Sequence, residues 1–227
     1  MSAQSKMKKY LFLLLAISFT HNAFPDGRDI FNKNAPGLVF LMTDTGSASG
    51  VIISKTGYVL TNWHAIDGAN IDESSIGLHW SYELGEIENH LVKFKVIKVN
   101  KTKDLALLKI INPPANLRVI KISTIIPSVG SESHAIGHPN GAIWTYTKGY
   151  ISQHRDGFEW QYEENGIQHV ADVYQTQTPI DQGNSGGPLL NVYGNLIGIN
   201  TFGSKDFQAL NYAVGVSEII KFLSSSS

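Results

Sequence analysis

A serine set among glycines, Gly183-Asn184-Ser185-Gly186-Gly187-Pro188, is the stretch of this 227-residue chain best suited to chemistry. A hydroxyl that attacks a carbonyl creates an oxyanion, and neighbouring backbone N–H groups can hold it. Glycine at 183 lets the chain turn so that its own N–H and that of Ser185 face one point, with Asn184 shaping the turn. Gly186 and Gly187 leave room for a substrate strand. A plain turn ahead of Leu189-Leu190 would use the same residues, so the reading depends on partners elsewhere.

Those partners are a base and an acid that orients it, because a serine hydroxyl is a weak nucleophile near neutral pH. The run Val59-Leu60-Thr61-Asn62-Trp63-His64 is apolar, β-prone and ends in a histidine. Asp104 opens another apolar run, Asp104-Leu105-Ala106-Leu107-Leu108. A carboxylate at the mouth of a buried strand can accept from the histidine Nδ1–H. Singly, His64 is one of eight histidines and Asp104 an ordinary turn acid. Jointly, and in this order, His64, Asp104 and Ser185 match one known acyl-transfer geometry.

The elements that must position these side chains are short. Apolar β-prone runs over 38–42, 48–53, 58–61, 76–82, 91–99 and 105–109 are separated by Gly, Asn and Asp. Asn112-Pro113-Pro114 interrupts them. A second set covers 132–136, 143–153, 170–176, 188–191, 196–202 and 212–216, and helical spacing follows over 216–223. Six and six strands fit an all-β fold of two antiparallel barrels with a short C-terminal helix. The expected barrels run over about 37–112 and 118–216, with the helix at 217–223. His64 and Asp104 fall in the first half and Ser185 in the second, so a site would lie between the halves.

Composition sets further bounds. At 42% hydrophobic residues the chain can build a sizeable core. Lys6, Lys8 and Lys9 precede the apolar run Tyr10 to Ile17, a secretory-leader pattern expected to be removed at about residue 23 and to leave a domain over 24–227. Without those lysines the 18 basic residues fall further below the 19 acidic ones, and no basic stretch remains for nucleic acid. Membrane contact is expected only through the leader during export. There are no cysteines, hence no disulfide framework. No His-Glu-x-x-His pattern or ligand cluster calls for a metal, and no cofactor is expected.

The chain resembles the chymotrypsin-like (trypsin-like) serine proteases, most closely the protease domain of the Deg/HtrA branch. The segments that carry the resemblance are Gly50-Val51-Ile52-Ile53-Ser54, Thr61-Asn62-Trp63-His64-Ala65, the Asp104 run, Ala135-Ile136-Gly137-His138-Pro139, the Ser185 loop and Gly198-Ile199-Asn200-Thr201. The resemblance implies a serine endopeptidase acting on polypeptides, including unfolded or extended segments. It implies His64 as base, Asp104 as orienting acid, Ser185 as nucleophile and Gly183, Asn184 and Ser185 around the oxyanion. Thr201 is similar to a family position whose hydroxyl supports the acid. The implied specificity pocket is walled by Thr178, Pro179, Ile180, Asn200, Thr201, Phe202, Gly203, Tyr212 and Ala213. None of these is charged, so small or medium aliphatic residues are expected before the scissile bond.

The resemblance also implies a bacterial periplasmic or secreted enzyme, and a trimer is one option, with Phe24 and Phe31 as packing residues. Two departures stand out. Asn184 replaces the Asp of digestive relatives, so activation by a newly cut N-terminus is not expected. The sequence has no segment matching the PDZ domains that usually follow. The region 153–170, with Phe158, Trp160 and Tyr162, reads either as a solvated hairpin or as one that shapes substrate access. The competing functional reading is a protease fold that binds polypeptides, chaperone-like, without turnover.

Overall fold

The computed structural model describes residues 25–162, 166–203 and 210–225. The expected leader and Phe24 lie outside them. Among the described residues no helix is long and apolar enough to cross a membrane.

The chain opens with helix α1 (Gly27–Asn34), whose first turn is capped by the Asp26 carboxylate accepting from the Asp29 N–H at 2.9 Å. Strands β1 (Leu38–Thr43), β2 (Gly46–Ile52), β3 (Tyr58–Thr61), β4 (Ser75–Leu78), β5 (Phe94–Asn100) and β6 (Leu105–Ile110) form one antiparallel sheet in the order β4-β1-β2-β3-β6-β5. A single bridge between Ile76 and Val92 ties its two ends together. Strands β7 (Glu132–Gly137), β8 (Thr145–Gln161), β9 (Gln168–Thr176), β10 (Pro188–Leu190), β11 (Leu196–Gly203) and β12 (Asn211–Gly215) close into a barrel. Two six-stranded antiparallel units of the chymotrypsin type are thus present. The first is joined at its edge by one bridge rather than a full ladder.

Two elements differ from the sequence expectation. The strand expected over 76–82 ends at Leu78, and helix α2 (His79–Glu83) follows. Here the Ser81 hydroxyl donates to the Leu78 carbonyl at 2.7 Å, while the buried His79 ring packs edge-on against Trp144 at 5.2 Å. That long-range contact overrides an apolar run that locally suits a strand. The region 153–170 is a hairpin as expected, but it extends the two strands: β8 runs on to Gln161 and pairs with β9 down to Gln161–Gln168. A bulge near Arg155 and Phe158, with Gly157 at φ 57°, bends this long hairpin.

One apolar cluster crosses the junction of the two units. Leu38, Val51, Leu60 and Leu105 of the first pack with Ile136, Leu190, Ile199 and Val214 of the second, all fully buried. Each such side chain contributes about 2 kcal/mol by area burial. Helix α3 (Val216–Ser224) leaves the second barrel and returns to the first, where its buried Glu218 meets Lys103 at 3.2 Å. The halves are therefore fixed on both sides of the residues that matter below.

Candidate active site

His64 lies three residues past the end of β3, and Asp104 immediately precedes β6, the strand that pairs with β3. Adjacent strand ends bring the two side chains together. The His64 Nδ1 lies 2.8 Å from Asp104 Oδ2, and the His64 backbone N–H donates to Oδ1 at 2.9 Å. Asp104 is fully buried and adopts a positive φ of 53°. Asn62 secures that conformation by donating its side-chain amide to the Asp104 carbonyl at 2.9 Å. Aspartate tolerates this left-handed backbone better than most residues.

The carboxylate is held in its charged form. Burial alone would push its pKa up. The His64 charge, the His64 hydrogen bonds and a bond from Thr201 outweigh burial and hold the Asp104 carboxyl below the ordinary range. An ionised carboxylate only accepts, so the His64 Nδ1 must carry the proton. In the neutral ring the lone pair then sits on Nε2, as a general base requires.

Thr201, on β11 of the second barrel, donates its hydroxyl to Asp104 Oδ2 at 2.6 Å. The Thr201 carbonyl accepts from the Ser185 hydroxyl at 3.0 Å. Thr201 therefore links His64 and Asp104 to Ser185 across the junction, through its hydroxyl on one side and its carbonyl on the other. In this conformation no hydrogen bond joins Ser185 to His64, among the described residues. Ser185 is half-buried, and its hydroxyl is taken up by the Thr201 carbonyl.

The glycines of the serine loop stand where side chains would clash. Gly183 has φ 101°, and a Cβ there would sit 2.2 Å from the His138 carbonyl oxygen. Neither the Gly183 nor the Ser185 N–H donates a hydrogen bond among the described residues. Asn184 is buried, its amide lying over Gly137, where a Cβ would meet Oδ1 at 1.9 Å. His138 next to it bridges the halves: Nε2 donates to the Val39 carbonyl at 3.1 Å and Nδ1 accepts from the Trp144 N–H at 3.0 Å. Burial lowers its pKa to about 3, so the ring is neutral.

The nine expected wall residues divide. Thr178, Asn200 and Ala213 have no exposed surface. The Thr178 hydroxyl is tied to Ser133 and Thr176, and the Asn200 amide donates to the Pro188 carbonyl. The side chains of Asn200 on β11 and Ala213 on β12 point into the barrel, and Thr178, just past β9, is held inward by its hydroxyl bonds. Thr201 is occupied with Asp104. Pro179 and Gly203 are exposed, and Ile180 is close to Gly203, where a Cβ would come 3.1 Å from the Ile180 carbonyl. Phe202 and Tyr212 stack at 4.7 Å and continue into Phe158 and Trp160 of the β8–β9 hairpin.

Three residues of the site have no role assigned from the sequence. Ser49 donates its hydroxyl to the Gly183 carbonyl and its N–H to the Ser185 carbonyl, both at 2.8 Å. Thr61 donates to the Ser49 carbonyl at 2.7 Å. Tyr162 places its ring 4.5 Å from that of His64. Only the aromatic content of the hairpin hinted at the last. Phe31, considered above for subunit packing, rests edge-on to His79 of its own chain at 6.4 Å.

Comparisons with known proteins follow the same line. The family model described as trypsin-like peptidase domain matches residues 48–199. Protease Do-like 1, chloroplastic, of Arabidopsis thaliana is 34% identical over 188 residues, covering 76% of this chain and 40% of that protein. A probable periplasmic serine endoprotease, DegP-like, of Buchnera aphidicola is 38% identical over 181 residues, covering 75% of this chain and 35% of its own length. The chain thus spans well under half of either relative. The crystal structure of the serine endoprotease from Yersinia pestis superposes with a TM-score of 0.68 at 28% identity, over 88% of this chain and 65% of that one.

Proposed function

Because this chain belongs to the trypsin-like peptidase domain family, with Deg/HtrA proteases among its relatives, we propose that it is a serine endopeptidase working through His64, Asp104 and Ser185. The observation that carries the proposal is the link that Thr201 makes between Asp104, with His64 bonded to it, and Ser185, built from both barrels. In the proposed reaction Ser185 Oγ attacks the scissile carbonyl while His64 Nε2 takes its proton. The Gly183 and Ser185 N–H groups, with Asn184 shaping their loop, hold the oxyanion. His64 then gives the proton to the leaving amine, and water clears the acyl-enzyme by the same route. Asp104 stays ionised throughout and stabilises the imidazolium.

The substrates we propose are polypeptides in extended form, cleaved after small or medium aliphatic residues. This preference rests on the absence of charge among the expected wall residues Ile180, Phe202, Gly203 and Tyr212. A peptide library read by mass spectrometry checks it, and cleavage mainly after Lys or Arg overturns it. Location outside the cytoplasm, periplasmic or secreted, rests on the basic-apolar leader and the periplasmic description of the Buchnera relative. Fractionation of cells expressing the full chain tests it.

The activity itself is tested by labelling with a fluorophosphonate and by casein digestion. Labelling that disappears in Ser185→Ala supports the endopeptidase. One observation favours a second reading, a binding protein without turnover: the Ser185 hydroxyl donates to the Thr201 carbonyl and not to His64. A chain that binds unfolded polypeptide yet takes no label and cuts no casein would decide for it.

A further inference from the structure

The β8–β9 hairpin of the second barrel is docked onto the very turn of the first barrel that presents Asp104. The Val170 N–H donates to the Thr102 carbonyl at 2.8 Å, and His169 Nδ1 to the Lys101 carbonyl at 2.7 Å. The buried His169 ring lies between Trp63 of the first barrel, at 5.8 Å, and Trp160 of the hairpin, at 5.2 Å. Past this anchor the hairpin delivers Tyr162 to the core of the site.

The Tyr162 hydroxyl has three oxygens in reach. It lies 2.9 Å from Thr201 Oγ1, 3.2 Å from Asp104 Oδ2 and 3.3 Å from the Thr201 carbonyl. A phenol has one proton to give. Thr201 Oγ1 commits its own proton to Asp104 at 2.6 Å, so its lone pairs face Tyr162. The shortest contact therefore makes a chain: Tyr162 donates to Thr201, and Thr201 to Asp104. Each donor in such a chain strengthens the next. The tyrosine pKa is raised well above its ordinary value, chiefly by burial and then by the Asp104 charge, so the hydroxyl keeps its proton.

We propose that Tyr162 is a positioning residue of the site, setting the basicity of His64 through Thr201 and Asp104 while its ring confines the imidazole. This rests on the endopeptidase reading above. A donor to the carboxylate stabilises its charge and so weakens its hold on the imidazolium. Removing the Tyr162 proton leaves more charge on Asp104 and tightens its hold on the imidazolium. The titratable groups that face Tyr162 are His64 and Asp104 of the first barrel and His169 of β9, whose ring is 5.3 Å away.

The test uses the full chain and the rate at which a fluorophosphonate labels Ser185, followed from about pH 5 to about pH 9. Tyr162→Phe moves the midpoint of the acid limb upward by about half a unit and slows labelling on the plateau about threefold. Incorporation of 3-fluorotyrosine at 162, a stronger donor of nearly equal size, moves the midpoint downward. If the Phe chain fails to fold, the fluorotyrosine chain decides alone. Midpoints that stay at the parental value, or move opposite to these directions, overturn the assignment of Tyr162 alone. A parental chain with no Ser185-dependent labelling overturns the endopeptidase reading, and this assignment falls with it.

Discussion

Ser49 of the first barrel holds the loop of Ser185 in the second by two hydrogen bonds of 2.8 Å, its N–H to the Ser185 carbonyl and its hydroxyl to the Gly183 carbonyl. A residue of the half that supplies His64 and Asp104 thus sets where the serine and the candidate oxyanion donors stand. Thr61, three residues before His64, in turn holds the Ser49 carbonyl. The two halves are registered through backbone groups and not only through apolar packing.

Ser49→Ala removes the hydroxyl and leaves the buried Gly183 carbonyl without its donor. We expect a loss of about 1 kcal/mol in stability and a labelling rate at Ser185 about tenfold lower. Urea unfolding and fluorophosphonate kinetics measure the two effects. A chain destabilised to that extent but labelled at the parental rate would show that Ser49 serves the fold and not the loop.

Asp104→Asn retains the left-handed backbone, since asparagine also tolerates a positive φ. An amide cannot accept the Nδ1–H and offer a lone pair to every present donor. The imidazole then takes the other tautomer, with a proton on Nε2. Labelling of Ser185 is expected to fall by about ten-thousand-fold with the fold intact. A reduction below about tenfold would remove Asp104 from the proposed mechanism.

Gly186 stands at φ 81° where the serine loop meets the first barrel. A Cβ there would lie 2.1 Å from Thr61 Oγ1 and 2.2 Å from the Ser49 carbonyl oxygen. Gly186→Ala must move β2 or the loop, and we expect a cost of about 3 kcal/mol or more, read as a lowered thermal midpoint. Gly68, also at positive φ but with open space around it, provides the control; alanine there costs only the backbone term of about 1 kcal/mol.

Stability falls with acid through buried histidines. Burial lowers the His138 pKa to about 3 in the folded chain, against the ordinary value near 6.5 in the unfolded one. Between these values the unfolded state binds the extra proton, so stability rises with pH across this window and is lost as pH drops. His138 alone accounts for roughly 5 kcal/mol at most. Burial shifts His79 and His134 in the same direction. Asp104, held below the ordinary carboxylate range, adds its loss at still lower pH. Denaturant unfolding from about pH 7 to about pH 4 is expected to show the slope, reduced by one proton in His138→Gln.

Much of this protein was legible in its residues because the informative constraints were local. Strands such as 58–61 and 105–109 announce themselves by short apolar runs, and Gly183, Gly186 and Gly187 by backbone and steric needs that few residues meet. A histidine ending one run and an acid opening another sufficed to nominate His64 and Asp104. The wall of the pocket was harder. The resemblance names Thr178, Asn200 and Ala213 among its wall residues but does not say that their side chains are fully buried, because which side of a strand a residue faces depends on register.

Sequence alone determined which side chains are available for acyl transfer, how many strands carry them and that the two halves must meet. Tertiary structure decided the rest: that Asp104 is buried yet charged, that Ser49 and Thr61 brace the serine loop, and that the β8–β9 hairpin crosses to the first barrel and brings Tyr162 beside His64. These depend on contacts between residues about forty to well over one hundred positions apart. Hydrogen-bond energies fall off within fractions of an ångström, and no local pattern encodes the distance between two remote segments.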